Sequence, residues 1–414
     1  MRIAYIAPYQ GPSLVERRPI VRNRSMSNRI KIELVAALLR ENSHEVDLIS
    51  QGEVIENQCK FYPAFSEPKP FHPGIPVDYA SALPIRHLNG LWSSLQTLHL
   101  LKTRNRVAPY DLAIVLNFKG PQVTCANYAI RQLGIPVVLQ YEDDRFVNVQ
   151  GEASEDLAMK RRNRQVAKLL GKVSGCMAAS PHLLSQLPRE IPTLLLRGVV
   201  GDDVVEASEA LRENKQNVVL FSGTHIHSNG IAPLIEGWRR VNLPGWELHI
   251  TGYGELTDSL RQMAADVPGI VFHGLVSRQE LVQRMCSAKI CINPHVVSLT
   301  PGNVFAFKII EYIAAGAHAV TTPMGALEKE LEAGVTYMPD NSPQTIAATL
   351  QKIVTEREYE RTARQAAHRV YGPRAVARSL DTLLNQVRVS QQKQKTEPLE
   401  LQAQIKGFST WSHR

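Results

Sequence analysis

The chain has 414 residues, of which 44% are hydrophobic and 21% charged, and its formal net charge is +8. This length is enough for two or three domains with cores of their own, and the composition is that of an ordinary folded protein. A disordered chain, a collagen-like fibre and a small disulfide-stapled scaffold are therefore excluded.

The cysteines and the amino terminus indicate a cytoplasmic protein. The five cysteines lie far apart and form no CxxC pair or Cys/His cluster, so the sequence predicts neither a zinc site nor a disulfide framework. The opening residues, MRIAYIAPYQ, lack the long apolar region of a signal peptide, and the chain has no apolar run of about 18 residues that would span a membrane.

Strands and helices alternate along the N-terminal half. Residues 2–7 (RIAYIA) and 42–49 (NSHEVDLI) predict strands, and the apolar spacing of 28–41 predicts a helix between them. This is the unit of a parallel α/β sheet. Residues 57–86, rich in proline and aromatic side chains, predict an irregular excursion. Further strands are predicted at 111–117, 136–141 and 174–180, with helices at 121–133 and 153–171.

A second α/β pattern starts after residues 197–216, which lose the hydrophobic period and gain charge. Its strands are predicted at 217–223, 245–254, 269–274, 288–295 and 317–323. Its helices are predicted at 230–241, 256–265, 277–287, 304–315 and 342–357. We therefore predict two doubly wound parallel-sheet domains in series.

The two patterns define the predicted domain boundaries. The N-terminal domain covers 1–200, a linker covers 201–216, and the C-terminal domain covers 217–360. Residues 361–388 are predicted to form helices that pack back on the N-terminal domain, and the Gln/Lys-rich tail 389–414 to be loosely ordered. Because ligands of open α/β sheets bind at the carboxyl ends of the strands, the cleft between the domains is the expected site.

A nucleotide is the usual ligand of such a cleft, since helix N-termini and glycine turns offer N–H groups to phosphate. Two common nucleotide motifs are nevertheless absent. The first strand–helix turn, residues 7–14, has one glycine and lacks the fingerprint GxGxxG, and no GxxxxGK[ST] motif occurs. The sequence therefore disfavours a NAD-dependent enzyme and a P-loop ATPase.

The segment 300–316, TPGNVFAFKIIEYIAAG, contains the sharpest site candidate. Asn303 is a good helix N-cap, and Val304, Lys308 and Glu311 share one face of the helix that follows. Along a helix, Asn303 and Glu311 are about 12 Å apart, which is comparable with the extent of a nucleotide-diphosphate-sugar. An ordinary amphipathic helix with a surface pair of Lys308 and Glu311 explains the same spacing.

The C-terminal half resembles the GT-B glycosyltransferases, specifically the large retaining family four. The matching pieces come in the family's order: 218–238, 247–255, 270–281, 288–295 and 305–331. The N-terminal half resembles the family more weakly, through RIAYIAP (2–8) and NSHEVDLI (42–49). The resemblance implies GT-B architecture, with two Rossmann-like domains facing a cleft. It also implies transfer of a sugar from a nucleotide-diphosphate donor to an acceptor hydroxyl with retention, in polysaccharide, glycolipid or small-molecule glycoside synthesis.

The resemblance also implies roles for residues of the 300–316 segment. Glu311 aligns with the second glutamate of the family's E-x7-E element, which holds the nucleotide ribose. Asn303 takes the position of the first glutamate, which contacts the donor sugar. The backbone N–H groups of Val304 and Phe305 are implied to face the donor phosphates.

Other donor-binding positions are implied in the loops that follow the strands. The backbone near Leu275 and Val276 is expected to pair with the base, and Gly223 and Thr224 to close the turn that faces the diphosphate. Gly252, in the glycine-rich turn of the next strand, is assigned to the same site. No metal or other cofactor is expected in this fold class, so the nucleotide-sugar is the only small molecule required besides the acceptor.

The sequence departs from the family at two cations. The family usually has an arginine after the strand glycine and a lysine before the helix glycine, where this chain has Thr224 and Asn229. Such cations neutralise the leaving diphosphate, which is a large catalytic effect. Lys308, reinforced by His225 or His227, is the predicted catalytic substitute, and a protein that has lost activity is the alternative explanation.

Three carboxylates follow the predicted strand 136–141 in the N-terminal domain: Glu142, Asp143 and Asp144. Glu142 or Asp143 at this strand end is a candidate to orient the acceptor hydroxyl or to stabilise positive charge on the sugar. The same triplet fits a metal site of the other glycosyltransferase fold, but that interpretation leaves the C-terminal pattern unexplained. A solvated turn, with Asp144 paired to Arg145, is the third interpretation.

Basic residues cluster in two places and indicate anionic partners. Residues 1–31 hold seven basic residues and one acid, and 158–172 hold six basic residues and no acid. Aromatic residues are only 6% and do not interleave with these clusters, which argues against nucleic acid. The loop 16–25 is placed near the cleft, and the helix 158–172 either contacts anionic lipid at the inner face of the membrane or is a solvated face. A lipid-linked acceptor fits the first alternative.

Two other functions are compatible with the same residues. A nucleotide-sugar epimerase of the same fold would act without an acceptor. A degenerate, non-catalytic glycan- or lipid-binding module would bind the acceptor without the nucleotide, and the two missing cations favour it.

Overall fold

A computed structural model describes residues 1–18, 26–52, 54, 60–68, 74–85, 88–142, 157–188, 190–297, 306–323, 325 and 327–396. Within them, no helix combines the length and the apolar character needed to cross a membrane.

The N-terminal domain is built on an eight-stranded sheet in the order β3-β4-β2-β1-β5-β6-β7-β8, in which only the β3–β4 pair is antiparallel. The strands are β1 (Arg2–Ala7), β2 (Glu45–Ser50), β3 (Phe65–Glu67), β4 (Val77–Tyr79), β5 (Leu112–Leu116), β6 (Val137–Tyr141), β7 (Gly175–Ala178) and β8 (Thr193–Leu195). The helices are α1 (Pro12–Arg17), α2 (Met26–Glu41), α3 (Asn89–Val107), α4 (Gly120–Tyr128, continued by a π-helical turn to Leu133), α5 (Leu157–Leu170) and α6 (Pro181–Ser185).

The C-terminal domain is built on a six-stranded, all-parallel sheet in the order β11-β10-β9-β12-β13-β14. Its strands are β9 (Gln216–Ser222), β10 (Glu247–Thr251), β11 (Ile270–Gly274), β12 (Ala288–Asn293), β13 (His318–Thr321) and β14 (Val335–Tyr337). Its helices are α7 (Asp202–Ala210), α8 (Ile231–Arg240), α9 (Thr257–Ala264), α10 (Arg278–Ser287), α11 (Lys308–Ala314), α12 (Pro343–Thr355) and α13 (Arg364–Tyr371).

The central strands explain why the sheets were predictable. β1 and β5 are almost wholly buried, and they read as continuous apolar runs because helices cover both faces of the sheet. Strand order reverses beside β1 in the first sheet and beside β9 in the second. Ligands of such sheets bind outside the carboxyl ends of the strands at these reversals. The predicted fold of two doubly wound parallel-sheet domains is confirmed.

Three segments differ from their predicted structure. The region 57–86 is not wholly irregular, because it contributes β3 and β4 to the sheet. Residues 201–216, predicted as a linker, contain a helix that was not predicted, α7, whose Val204 and Ala207 are buried in the C-terminal core. The helix α14 (Pro373–Thr396) extends into the tail at 389–414, so the start of that tail is helical and not loosely ordered.

The last helix returns to the first domain. Apolar residues of α14 lie in the same buried cluster as β1, β2 and α2, and Asn42 donates a hydrogen bond to the Ala377 carbonyl at 2.7 Å. The helix is amphipathic, and its apolar face, which includes Leu380, Leu384 and Val387, is buried by this packing. Residues 361–388 thus connect the C-terminal domain to the outside of the N-terminal sheet.

Candidate functional site

Glycine turns lie at the carboxyl ends of β9 and β10, beside the strand-order reversal of the second sheet. The Gly252 N–H donates to the Gly274 carbonyl at 2.8 Å, and the Gly223 N–H donates to the Thr251 carbonyl at 3.2 Å. At Gly252, φ is +120°, and a Cβ there would lie 1.9 Å from the Gly223 carbonyl oxygen. Only glycine fits this approach, so the two turns form a floor of backbone.

Lys308, the first residue of α11, lies directly against this floor. Its Nζ donates to the Ser222 carbonyl at 3.0 Å, and a Cβ placed on Gly223 would lie 3.0 Å from the same nitrogen. The ammonium also lies 5.5 Å from the centre of the Phe221 ring. Burial lowers the pKa of Lys308 to about 8, because a buried ammonium loses its hydration. A cation therefore faces the turn where the diphosphate was expected.

Glu311 lies one turn further along α11 and is held by an arginine that the sequence analysis did not identify. Its side chain is 14% exposed, and its Oε1 accepts from Nη1 of Arg278 at 2.8 Å. The Nε of Arg278 donates to Oδ2 of Asp203, also at 2.8 Å. Burial raises the pKa of Glu311, and the adjacent Arg278 opposes that rise. Lys308 and Glu311 are thus both half-buried and on the same side of the helix.

The residues that stand in for the family's two cations lie at the edge of the floor. Thr224 is exposed, and its carbonyl accepts from Nδ2 of Asn229 at 2.7 Å. Asn229 ends a short 3₁₀ turn before α8, and its Nδ2 would lie 3.7 Å from a Cβ on Gly223. These two residues shape the turn through a hydrogen bond and bring no positive charge to it.

In the described part of the chain, neither histidine named from the sequence forms a hydrogen bond with Lys308. His225 is fully buried, its Nδ1 lies 3.0 Å from Oγ1 of Thr257, and burial lowers its pKa. His227 is exposed at the start of the 3₁₀ turn. A different histidine, His295, follows β12 and lies close enough to Lys308 for that cation to lower its pKa further, after the larger effect of burial.

Arg278 and His295 could not be identified from the sequence because their proximity to Glu311 and Lys308 depends on packing between elements. Arg278 is the first residue of α10, where a cation opposes the helix dipole. That unfavourable position is the one signal in the sequence that could have drawn attention to it. His295 carries a weaker signal, namely a polar residue just after the carboxyl end of a buried strand.

The loop between β11 and α10 holds the two residues assigned to the base. Leu275 is strongly exposed and Val276 half-buried, and Ser277 then caps α10 by accepting from the Glu280 N–H at 3.1 Å. The cap fixes the end of the loop and with it the position of Arg278. Asn303, Val304 and Phe305, also assigned to the donor, lie outside the described residues.

In the N-terminal domain, Glu142 follows β6 and is anchored on three sides. Its Oε2 accepts from Nζ of Lys31 at 2.5 Å, its Oε1 accepts from Nε2 of Gln140 at 2.8 Å, and its N–H donates to Oδ1 of Asn117 at 2.8 Å. The two side-chain hydrogen bonds hold the carboxylate in one orientation, and the third fixes the backbone that carries it. Asp143 lies outside the described residues, and no group of three or more acidic, His or Cys side chains in the described part of the chain is placed to hold a metal ion.

Comparison with known proteins finds similar sequences for the C-terminal domain. Residues 216–356 match the family described as Glycosyl transferases group 1. The GDP-mannose-dependent alpha-(1-6)-phosphatidylinositol dimannoside mannosyltransferase of Mycobacterium tuberculosis is 32% identical over 139 residues, which are 33% of this chain. The match spans 35% of the length of that relative.

Solved structures of similar fold cover nearly the whole chain. Sucrose-phosphate synthase from Thermosynechococcus elongatus has a TM-score of 0.70 at 15% identity, over 94% of this chain and 100% of that one. An alpha,alpha-trehalose-phosphate synthase from Burkholderia xenovorans has a TM-score of 0.63 at 12% identity, over 94% and 100%. Anabaena HepE in complex with UDP and glucose has a TM-score of 0.61 at 14% identity, over 93% and 99%. These likenesses confirm the GT-B fold.

Proposed function

We propose that this chain, whose residues 216–356 match the glycosyl transferases group 1 family, transfers a sugar from a nucleotide-diphosphate-sugar to an acceptor hydroxyl. The observation that carries the proposal is the pair of half-buried charges on α11. Lys308 faces the glycine turn after β9, and Glu311 lies one helical turn further on. This separation suits one donor, with its diphosphate at the lysine and its ribose at the glutamate.

The residues of the chain fit distinct steps of a retaining transfer. The bond between the sugar C1 and the diphosphate oxygen breaks while the acceptor oxygen bonds to C1 on the same face. The acceptor proton passes to the departing diphosphate. Lys308 stabilises the charge that develops on the diphosphate, in place of the cations that the family usually has at Thr224 and Asn229. Transfer without a metal ion is part of the proposal.

Glu142 is proposed to serve the acceptor side of the cleft. Because Lys31 and Gln140 hold it as an oriented carboxylate, it suits hydrogen bonding to an acceptor hydroxyl or stabilisation of positive charge on the sugar better than free proton transfer. Asp143 remains a proposed catalytic neighbour, on the sequence alone.

A thermal-shift screen with UDP, GDP, ADP, CMP and dTDP, each with and without EDTA, tests the proposal. One nucleoside diphosphate at a hundred times its Kd is expected to raise the melting temperature by about 5 °C or more, equally with EDTA. We rank GDP first, because the relative that matches the donor domain is GDP-mannose-dependent. A flat response to all five would contradict the proposal and favour the non-catalytic binding module.

An NMR assay then separates transfer from epimerisation. An epimerase converts the nucleotide-sugar without an acceptor, whereas a transferase consumes the donor in step with the acceptor. Conversion of the sugar ring with no acceptor present would therefore favour the epimerase of the same fold.

We further propose that the acceptor is lipid-linked and that the N-terminal domain meets an anionic membrane through α3 and α5. Three leucines lie at the start of α3 and are each more than half exposed: Leu88, which caps the helix, Leu91 and Leu95. Helix α4 packs against both α3 and α5. The exposed side chains of Arg164 and Lys168 on α5 carry the charge that suits anionic headgroups.

Sedimentation with liposomes tests the membrane contact. Wild-type protein is expected to bind phosphatidylserine-containing vesicles more tightly than phosphatidylcholine vesicles. Leu91→Ser with Leu95→Ser should lower that binding about tenfold or more, because two exposed leucines lose their insertion free energy. Val107→Ser, at an exposed position near the other end of α3, is the control. Equal binding of both vesicle types would contradict the proposed contact.

A further inference from the structure

We propose that Arg278 is a positioning residue of the donor site: it holds the Glu311 carboxylate in place for the nucleotide, and Asp203 holds Arg278 in turn. The inference rests on the proposed function, because Glu311 must receive the donor for Arg278 to matter.

The geometry consists of one guanidinium between two carboxylates from different helices. Nη1 of Arg278 lies 2.8 Å from Oε1 of Glu311 on α11, and Nε lies 2.8 Å from Oδ2 of Asp203 on α7. The two partners thus contact two different nitrogens of a rigid fork, which fixes its plane. Glu311 is the most enclosed of the three side chains and Asp203 the least.

Asp203 is itself held in place at the start of α7. Its Oδ1 accepts from the Val204 N–H at 2.8 Å. A Cβ on Gly201 would lie 2.4 Å from the same oxygen, so the glycine leaves room for the carboxylate to turn toward Arg278. The chain of contacts therefore runs from the backbone of α7 through Asp203 and Arg278 to Glu311.

The electrostatic consequence concerns the protonation of Glu311. Burial raises the pKa of this carboxyl, and the charged groups that face it are Arg278 from α10, Asp203 from α7 and Lys308 from its own helix. Arg278 and Lys308 lower the pKa, while Asp203 raises it. A protonated Glu311 would lose the anionic acceptor that ribose hydroxyls require. With Oε1 engaged by Arg278, Oε2 is the oxygen that would accept from the donor.

The test measures nucleoside-diphosphate affinity against pH, using the nucleotide found in the screen. In Arg278→Met, affinity at pH 7.5 is expected to fall about tenfold, since a charge-supported hydrogen bond is weakened. The pH at which binding declines on acidification should also move upward, because Glu311 then protonates more readily. Arg278→Lys should restore part of both effects. A role in folding alone would not move this pH profile.

Arg284→Met is the matched control on the same helix. Arg284 pairs with Glu280 at 2.7 Å, away from Glu311, so its loss should leave affinity and pH profile unchanged. Wild-type affinity and profile in Arg278→Met would overturn the inference. If Arg278→Met does not fold, nucleotide affinity is measured in Asp203→Asn and Arg278→Lys instead. Wild-type affinity in both of these variants would overturn the inference. A wild-type protein that binds no nucleotide contradicts the proposed function itself, which is a distinguishable result.

Discussion

Glu311→Ala is expected to weaken nucleoside-diphosphate binding about 100-fold. The proposed ribose contact consists of two hydroxyls donating to one half-buried carboxylate, and each charge-assisted hydrogen bond contributes roughly 1.5–3 kcal/mol. The side chain is 14% exposed, so water cannot readily take its place. Isothermal titration calorimetry with the nucleotide that gives the thermal shift measures the effect.

Glu280→Ala is the control for the Glu311 variant. Glu280 is an exposed carboxylate on α10 that pairs with Arg284, so its removal should leave the affinity unchanged. Removing Glu311 also leaves Arg278 with Asp203 as its remaining ion-pair partner, and some loss of stability is expected. Titration is therefore performed well below the melting temperature of the variant. Wild-type affinity in Glu311→Ala would refute the donor assignment.

The burial of individual strands and helices shows which parts of the fold the sequence could predict. β1 and β5 are continuous apolar runs because helices cover both of their faces. Such runs can be recognised in the sequence without any tertiary information. Helix α3 was not predicted. It buries Ser93, Ser94 and Thr97 while exposing Leu91 and Leu95, which is the reverse of the pattern that identifies an amphipathic helix.

Prediction of the site had a similar limit. Lys308 and Glu311 are close in sequence, so helical spacing alone places them on one face. Arg278 is 33 residues from Glu311 and 75 from Asp203. Its contacts exist only because α7 packs against both α10 and α11. The sequence pattern predicted His225 beside Lys308, but the imidazole ring is instead buried against Thr257.

Lys308→Met is expected to lower kcat about 100- to 1000-fold while nucleotide binding weakens less. The lysine would act mainly on charge that grows as the diphosphate leaves, and a preorganised charge at such a point has an effect of this size. Single-turnover transfer with saturating donor and acceptor measures it. A loss confined to KM would mean that Lys308 binds the donor equally in the ground and transition states.

The pH dependence offers an independent test of the same contact. Because burial lowers the pKa of Lys308 to about 8, much of the free protein carries a neutral amine at pH 8.5. A bound diphosphate favours the ammonium and raises that pKa, so binding at pH 8.5 should take up a proton. Affinity should then fall as the pH rises through about 8, because the proton becomes harder to supply.

Calorimetry in buffers of different ionisation enthalpy measures this proton uptake, and a second half-buried lysine provides the control. Lys215 also has a pKa lowered to about 8 by burial, but its Nζ donates to the Ala288 and Ala315 carbonyls near the opposite end of the sheet. Lys215→Met should therefore retain the uptake, whereas Lys308→Met should abolish it. Buffer-independent binding by the wild-type protein at pH 8.5 would mean that the diphosphate does not contact Lys308. The leaving group would then be stabilised by other groups of the cleft.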